Sequence, residues 1–114
     1  MPTTELEIPV ERENAYIVVW EYQVKAGCEA EFVAAYGSDG EWAKLFERSP
    51  EFLGVELLGS VGIAGRFFTL DRWSSSEAMD VFLAANATAY DVLDRRFSAF
   101  TVWEHRIGGF PLDA

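Results

Sequence analysis

The segment Tyr16–Val24 constrains the fold more than any other stretch, because it alternates like a strand yet has no polar face. Tyr16, Val18, Trp20 and Tyr22 fall on one side, and Ile17, Val19, Glu21 and Gln23 on the other. Arg66–Trp73 repeats the pattern with Phe67, Phe68 and Leu70. A sheet that is apolar on both faces has to be covered on both. Any fold built on these strands therefore needs helices on one side and something else on the other.

The rest of the chain supplies those helices. Glu29–Tyr36 carries Phe32, Ala35 and Tyr36 at i, i+3 and i+4, and Trp42, Leu45 and Phe46 extend an apolar face towards Ser49-Pro50. Ser38 and Glu41 have the spacing of a capping box for the second of these helices, and Ser74 and Glu77 for a long helix over residues 77–97. Phe52–Leu58 is a third strand, joined to Arg66–Trp73 by the loop Gly59–Gly65. Three glycines in that loop resemble a phosphate cradle only superficially, because a cradle needs a strand-to-helix passage and this loop connects two strands. Phe100–Ile107 closes the set. The order strand, helix, strand, strand, helix, strand predicts an α+β fold, a ferredoxin-like βαββαβ antiparallel sheet with both helices on one face. The uncovered face then predicts a homodimer, with two sheets meeting. The domain spans residues 15–107, between a polar arm at 1–14 and a tail at 108–114.

Composition limits the partners. The chain has 114 residues and a formal net charge of −10, a balance that repels nucleic acid and anionic lipid surfaces. Nine Phe, four Tyr and four Trp exceed what a small core needs, which points to an aromatic pocket or subunit contact. Cys28 is alone, so no internal disulfide can form, and no zinc or haem-attachment spacing is present. The opening segment lacks a long apolar core and no stretch approaches a membrane span, so a reducing cytoplasm is the expected setting.

One position in the long helix stands out. Met79, Phe82, Leu83, Asn86, Tyr90, Leu93 and Phe97 share one face, and Asn86 is its polar member. A buried carboxamide without partners costs about 1–3 kcal/mol, so either the core or a ligand must satisfy it. No Ser/His/Asp triad, phosphate loop, dinucleotide fingerprint or metal cluster can be assembled. Any chemistry would have to come largely from the substrate.

The chain resembles the antibiotic biosynthesis monooxygenase-like (ABM) group of dimeric α+β barrel proteins over residues 16–107. The resemblance rests on the element order, the strand ending Leu70-Asp71-Arg72-Trp73, the Ser-rich helix start at Ser74–Ala78 and Phe82 one turn on. It implies a pocket between sheet and helices, bordered by Trp73, and a cofactor-independent monooxygenase using molecular oxygen on a polycyclic phenol or quinol-like substrate. A non-catalytic dimer that binds a small hydrophobic ligand is the alternative, and a haem-degrading oxygenase the third. Haem-degrading relatives take their iron ligand from a His in the helix after that Trp, where this chain offers Phe82, Asn86 and Tyr90 instead. Its one His is His105, on the last strand.

On this reading the expected catalytic residues are Asn86 as oxyanion donor, Trp73 as pocket wall and His105 as base. Tyr22, Trp20, Tyr90 and Phe82 are expected to bind substrate. The charged set Glu21, Arg72, Glu104 and Arg106 reads as cross-strand or intersubunit ion pairs.

Overall fold

A computed structural model describes residues 15–112. The elements are β1 (Tyr16–Val24), α1 (Glu29–Tyr36), α2 (Glu41–Phe46), β2 (Phe52–Gly59), β3 (Arg66–Trp73), α3 (Ser76–Ala85), α4 (Ala87–Phe97), a 3₁₀ turn (Ser98–Phe100) and β4 (Thr101–Pro111). The four strands form one antiparallel sheet in the order β2-β3-β1-β4. The architecture is the expected ferredoxin-like α+β fold. β4 runs on to Pro111, so most of the expected tail belongs to the sheet, while the expected N-terminal arm lies outside the described residues.

Strand parity divides the sheet cleanly. Val18, Tyr22, Val24, Thr69 and Trp73 are buried on the helix side, where Tyr22, Val24 and Trp73 form one core with Phe32, Tyr36, Trp42, Leu45, Phe46, Phe82 and Phe97. On the opposite side Leu58 and Phe110 are each 49% exposed and Trp103 is 39% exposed. That face also carries ion pairs: Arg66 reaches Glu21 at 3.0 Å and stacks over Trp103 with 4.8 Å to the ring centroid, and Arg72 meets Glu56.

Shifts in strand register help decide which side chains face the helices. In β2 the register shifts between Phe52 and Gly54, and Gly54 takes φ +132°, a conformation open to glycine alone at little cost. The shift turns Phe52 inward against Trp73, with ring centroids 5.1 Å apart. In β4 an extra residue at Val102 separates Thr101, paired with Val24, from Trp103, paired with Gln23. From there Glu104 falls opposite Tyr22 on the helix side and His105 opposite Glu21 on the open side.

The helix starts differ from the sequence expectation by a residue or two. Gly40, not Ser38, precedes α2. Ser75, not Ser74, caps α3, its hydroxyl accepting from the Ala78 N–H at 3.1 Å, while the Ser74 hydroxyl donates to Glu51. The long helix is divided at Asn86, whose backbone leaves the helical region at φ −122°, ψ 25°.

Candidate functional site

The sheet and helices do not close on each other everywhere. Between β1, β3, β4 and helices α1, α2 and α4 lies a cavity with about 450 Å³ of empty space, counted out to its open mouth. Trp20 and Tyr22 come from β1, Thr69 and Asp71 from β3, and Glu104 from β4. Tyr36, Trp42, Phe46, Tyr90 and Asp94 reach in from the helices, and Val55 from β2. The alternation of β1 puts Trp20 and Tyr22 side by side, their rings stacked at 6.4 Å. Tyr22 then meets Tyr36 edge-on at 5.2 Å, and Trp42 meets Tyr90 at 4.9 Å.

The polar groups of this wall are held in unusual states. Burial lifts the Asp71 carboxyl to about 7, because its charged form would sit among aromatic rings rather than in water. Burial also raises Glu104; the nearby Asp94 adds to that rise and the Thr101 hydroxyl, 3.2 Å from Glu104 Oε2, opposes it. The phenols are pushed the same way, Tyr90 to about 12 by burial and by Asp94, Asp71 and Glu104. Tyr36 rises through burial and Glu104, and Tyr22 through burial, although its hydroxyl lies 2.9 Å from Thr69 Oγ1. At neutral pH the cavity therefore offers hydroxyl groups that stay protonated beside a carboxyl group close to its midpoint. The buried Trp42 indole N–H has no hydrogen bond of acceptable geometry, although its proximity to the Tyr36 oxygen partly offsets the rise there.

The residues expected from sequence divide into two groups. Trp20, Tyr22 and Tyr90 line the cavity. Trp73, Phe82, Asn86 and His105 do not. Trp73 is 1% exposed and enclosed by Phe46, Phe52 and Phe82 at ring separations of 5.1–5.5 Å, so it and Phe82 are core. The Asn86 carboxamide donates to the Phe82 carbonyl at 2.9 Å, which satisfies it within its own helix turn. His105 is exposed on the far side of the sheet, because the register sets it opposite Glu21 rather than between Trp20 and Tyr22. Glu104, read from sequence as an ion-pairing residue, takes the inward position, and Asp71 had no sequence signal beyond its place in the Leu70–Trp73 motif. The inward parity of Trp73 on β3 was the available clue, since it puts Asp71 on the same face two residues earlier.

The sequence profile of the antibiotic biosynthesis monooxygenase family matches residues 15–89. The chain belongs to this family. Among solved structures the ABM fold here is similar to SnoaB, a cofactor-independent oxygenase from Streptomyces nogalater, with 22% identity and a TM-score of 0.66 over 85% of this chain and 91% of that one. A conserved protein from Methanosarcina mazei gives the same TM-score at 13% identity, covering 88% and 94% of the two chains. An antibiotic biosynthesis monooxygenase candidate from Bordetella bronchiseptica also reaches 0.66, at 17% identity over 85% and 95%. At these identities the likeness is one of fold. None of the curated proteins matches the chain. Among the described residues no helix is long and apolar enough to cross a membrane, and no group of His, Cys, Asp and Glu is arranged to hold a metal ion.

Proposed function

We propose that this ABM protein is a monooxygenase that works without metal or flavin on a small hydroxylated aromatic, polycyclic phenol or quinol-like, bound in the cavity around Asp71. The observation that carries the reading is the Asp71 carboxyl, held at about 7 within an aromatic wall. A general base is most effective when its pKa lies near the working pH. Asp71 takes the proton that leaves an electron-rich anion. The phenols of Tyr36 and Tyr90 remain protonated and are donors for the oxygen on which charge develops. Trp20 and Tyr22 supply flat surfaces for the rings of the substrate.

The substrate provides the electrons. Its anion passes one electron to molecular oxygen, the resulting pair recombines as a peroxide anion at a ring carbon that bears hydrogen, protonated Asp71 returns its proton to give the hydroperoxide, and loss of water leaves a carbonyl. The protein's part is to bind, orient and deprotonate. We also propose that the working unit is a homodimer, in which a second copy covers Leu58, Trp103 and Phe110. Light scattering at micromolar concentration tests that part, and a stable monomer would contradict it.

Oxygen uptake with a panel of hydroxylated polycyclic aromatics tests the activity. Turnover of at least one compound is expected, with Asp71→Asn lowering kcat by about 10²–10⁴-fold. Ligand that binds but returns unchanged by mass spectrometry would replace the oxygenase with a binding module. Haem breakdown fits these residues poorly. Among the described residues the cavity lining carries the carboxyl groups of Asp71, Asp94 and Glu104 and no His to hold an iron, and His105 lies on the other side of the sheet.

A further inference from the structure

The charge lining the cavity is of one sign. Asp71, Asp94 and Glu104 reach its wall, and no Lys, Arg or His side chain does so among the described residues. Three arginines of neighbouring elements pair away from the cavity. Arg66 and Arg72 pair with Glu21 and Glu56 on the opposite face of the sheet, and Arg96 lies 3.9 Å from Glu41 on the outer surface of the helices. Arg106, opposite Trp20 in the register, shares the helix-side face of the sheet but is not part of the cavity lining, and donates to the Tyr16 hydroxyl at 3.3 Å.

We infer that the cavity selects uncharged or cationic aromatics and rejects aromatics that carry a carboxylate. This rests on the reading of the cavity as a small-aromatic site and adds its charge preference. A carboxylate entering here loses its hydration and meets three carboxyl groups without a counter-ion. Like charges juxtaposed in a desolvated contact are strongly unfavourable. Burial already raises Asp71 and Glu104, so a further negative charge enters an environment that resists the two it has. The formal charge of −10 adds a long-range repulsion that salt weakens. A hydroxyl, amide N–H or ammonium group, by contrast, can donate to these carboxyl groups.

An isosteric pair tests this: 3-hydroxy-2-naphthamide and 3-hydroxy-2-naphthoate, titrated against tryptophan fluorescence at about pH 8 without oxygen. The amide should bind at least about tenfold more tightly, a margin set by like-charge repulsion. The gap should narrow in Glu104→Gln and in Asp94→Asn, two variants chosen so that one misfolded protein does not end the test. Lowering the pH to about 5.5 should narrow it too, as the Asp71 carboxyl, held at about 7, takes up a proton while the naphthoate stays ionised. Equal or tighter binding of the naphthoate would overturn the inference, as would an unchanged gap in both variants or no binding of either compound. Because binding is read without oxygen, a protein that prefers the amide but never turns substrate over keeps this inference and loses the oxygenase reading. One that oxidises hydroxyaromatics yet binds the naphthoate equally well does the reverse.

Discussion

Asp71 and Trp73 stand two residues apart on the same face of β3, under the same layer of helices, and their surroundings have opposite outcomes. Around Trp73, the rings of Phe46 and Phe52 meet it edge to face, that of Phe82 lies tilted against it, and it is left 1% exposed. Around Asp71, the rings are Trp20, Tyr22, Tyr36, Trp42 and Tyr90, and a cavity remains between them. The difference is chemical. Hydrocarbon rings gain by closing on each other, since contact and burial act in the same direction. Phenols and carboxyl groups lose hydrogen bonds with water when they close, so a wall built from them stays open unless partners are supplied. The boundary between core and site in this fold is the point where Tyr, Asp and Glu join the rings along one continuous face.

That contrast can be broken most forcefully at its closed end. Trp73→Ala should lower the free energy of unfolding by about 3–5 kcal/mol, the usual cost of deleting a buried large aromatic. Trp20→Ala, at the open wall, should cost well under half of that. Urea denaturation of the pair measures both, and equal losses would erase the distinction between the two ends.

At the open end the effect should have the reverse sign. The folded protein holds Asp71 at about 7, against an ordinary value of 3.8. A carboxyl raised on folding favours the native state most at low pH, and that advantage is lost as pH rises from about 4 to about 7. Asp71→Asn should therefore match the parent protein in stability near pH 4 and exceed it by about 2–4 kcal/mol at pH 8. Denaturation at several pH values reads the difference directly, and a variant less stable at pH 8 would mean that Asp71 has partners in the fold.

Asn86 sharpens the comparison from the helix side. Its carboxamide caps the Phe82 carbonyl, so Asn86→Leu should cost about 1 kcal/mol, the worth of one hydrogen bond, and leave ligand affinity within about twofold. His105→Ala should do least. With the ring exposed on the far face, stability should stay within about 0.5 kcal/mol and the pH dependence of ligand binding should not move. A changed profile in His105→Ala would return that residue to the site.

The sequence was most legible where a single element carries the information. The order of elements, the inward face of β1 with Trp20 and Tyr22, the buried faces of α1 and α2 and the hairpin at Gly59–Gly65 all follow from local periodicity. Asn86 was legible as a polar residue in an apolar stripe, but its partner is the carbonyl four residues earlier, which also accepts the Asn86 backbone N–H, and the helix is divided at that turn. Sequence spacing extrapolates a regular helix and passes over that break. The larger miss was Glu104 and His105. Which of two neighbours on β4 faces the cavity depends on the extra residue at Val102 and on the register with β1, a relation between segments about eighty residues apart in the chain. Asp71 was overlooked for a related reason: a lone aspartate in a strand carries no chemical signature until the elements that desolvate it are in place.

The central claim is that burial holds the Asp71 carboxyl near neutrality in a cavity open to ligand. Carbon-13 NMR of the aspartate carboxyl groups, with Asp71 assigned by its absence in Asp71→Asn, tests it without knowledge of the substrate. One carboxyl resonance should titrate with a midpoint near 7 and shift when a hydroxylated aromatic binds. A midpoint below about 5, within the ordinary aspartate range, would show Asp71 to be solvated and would remove the base from the proposed chemistry.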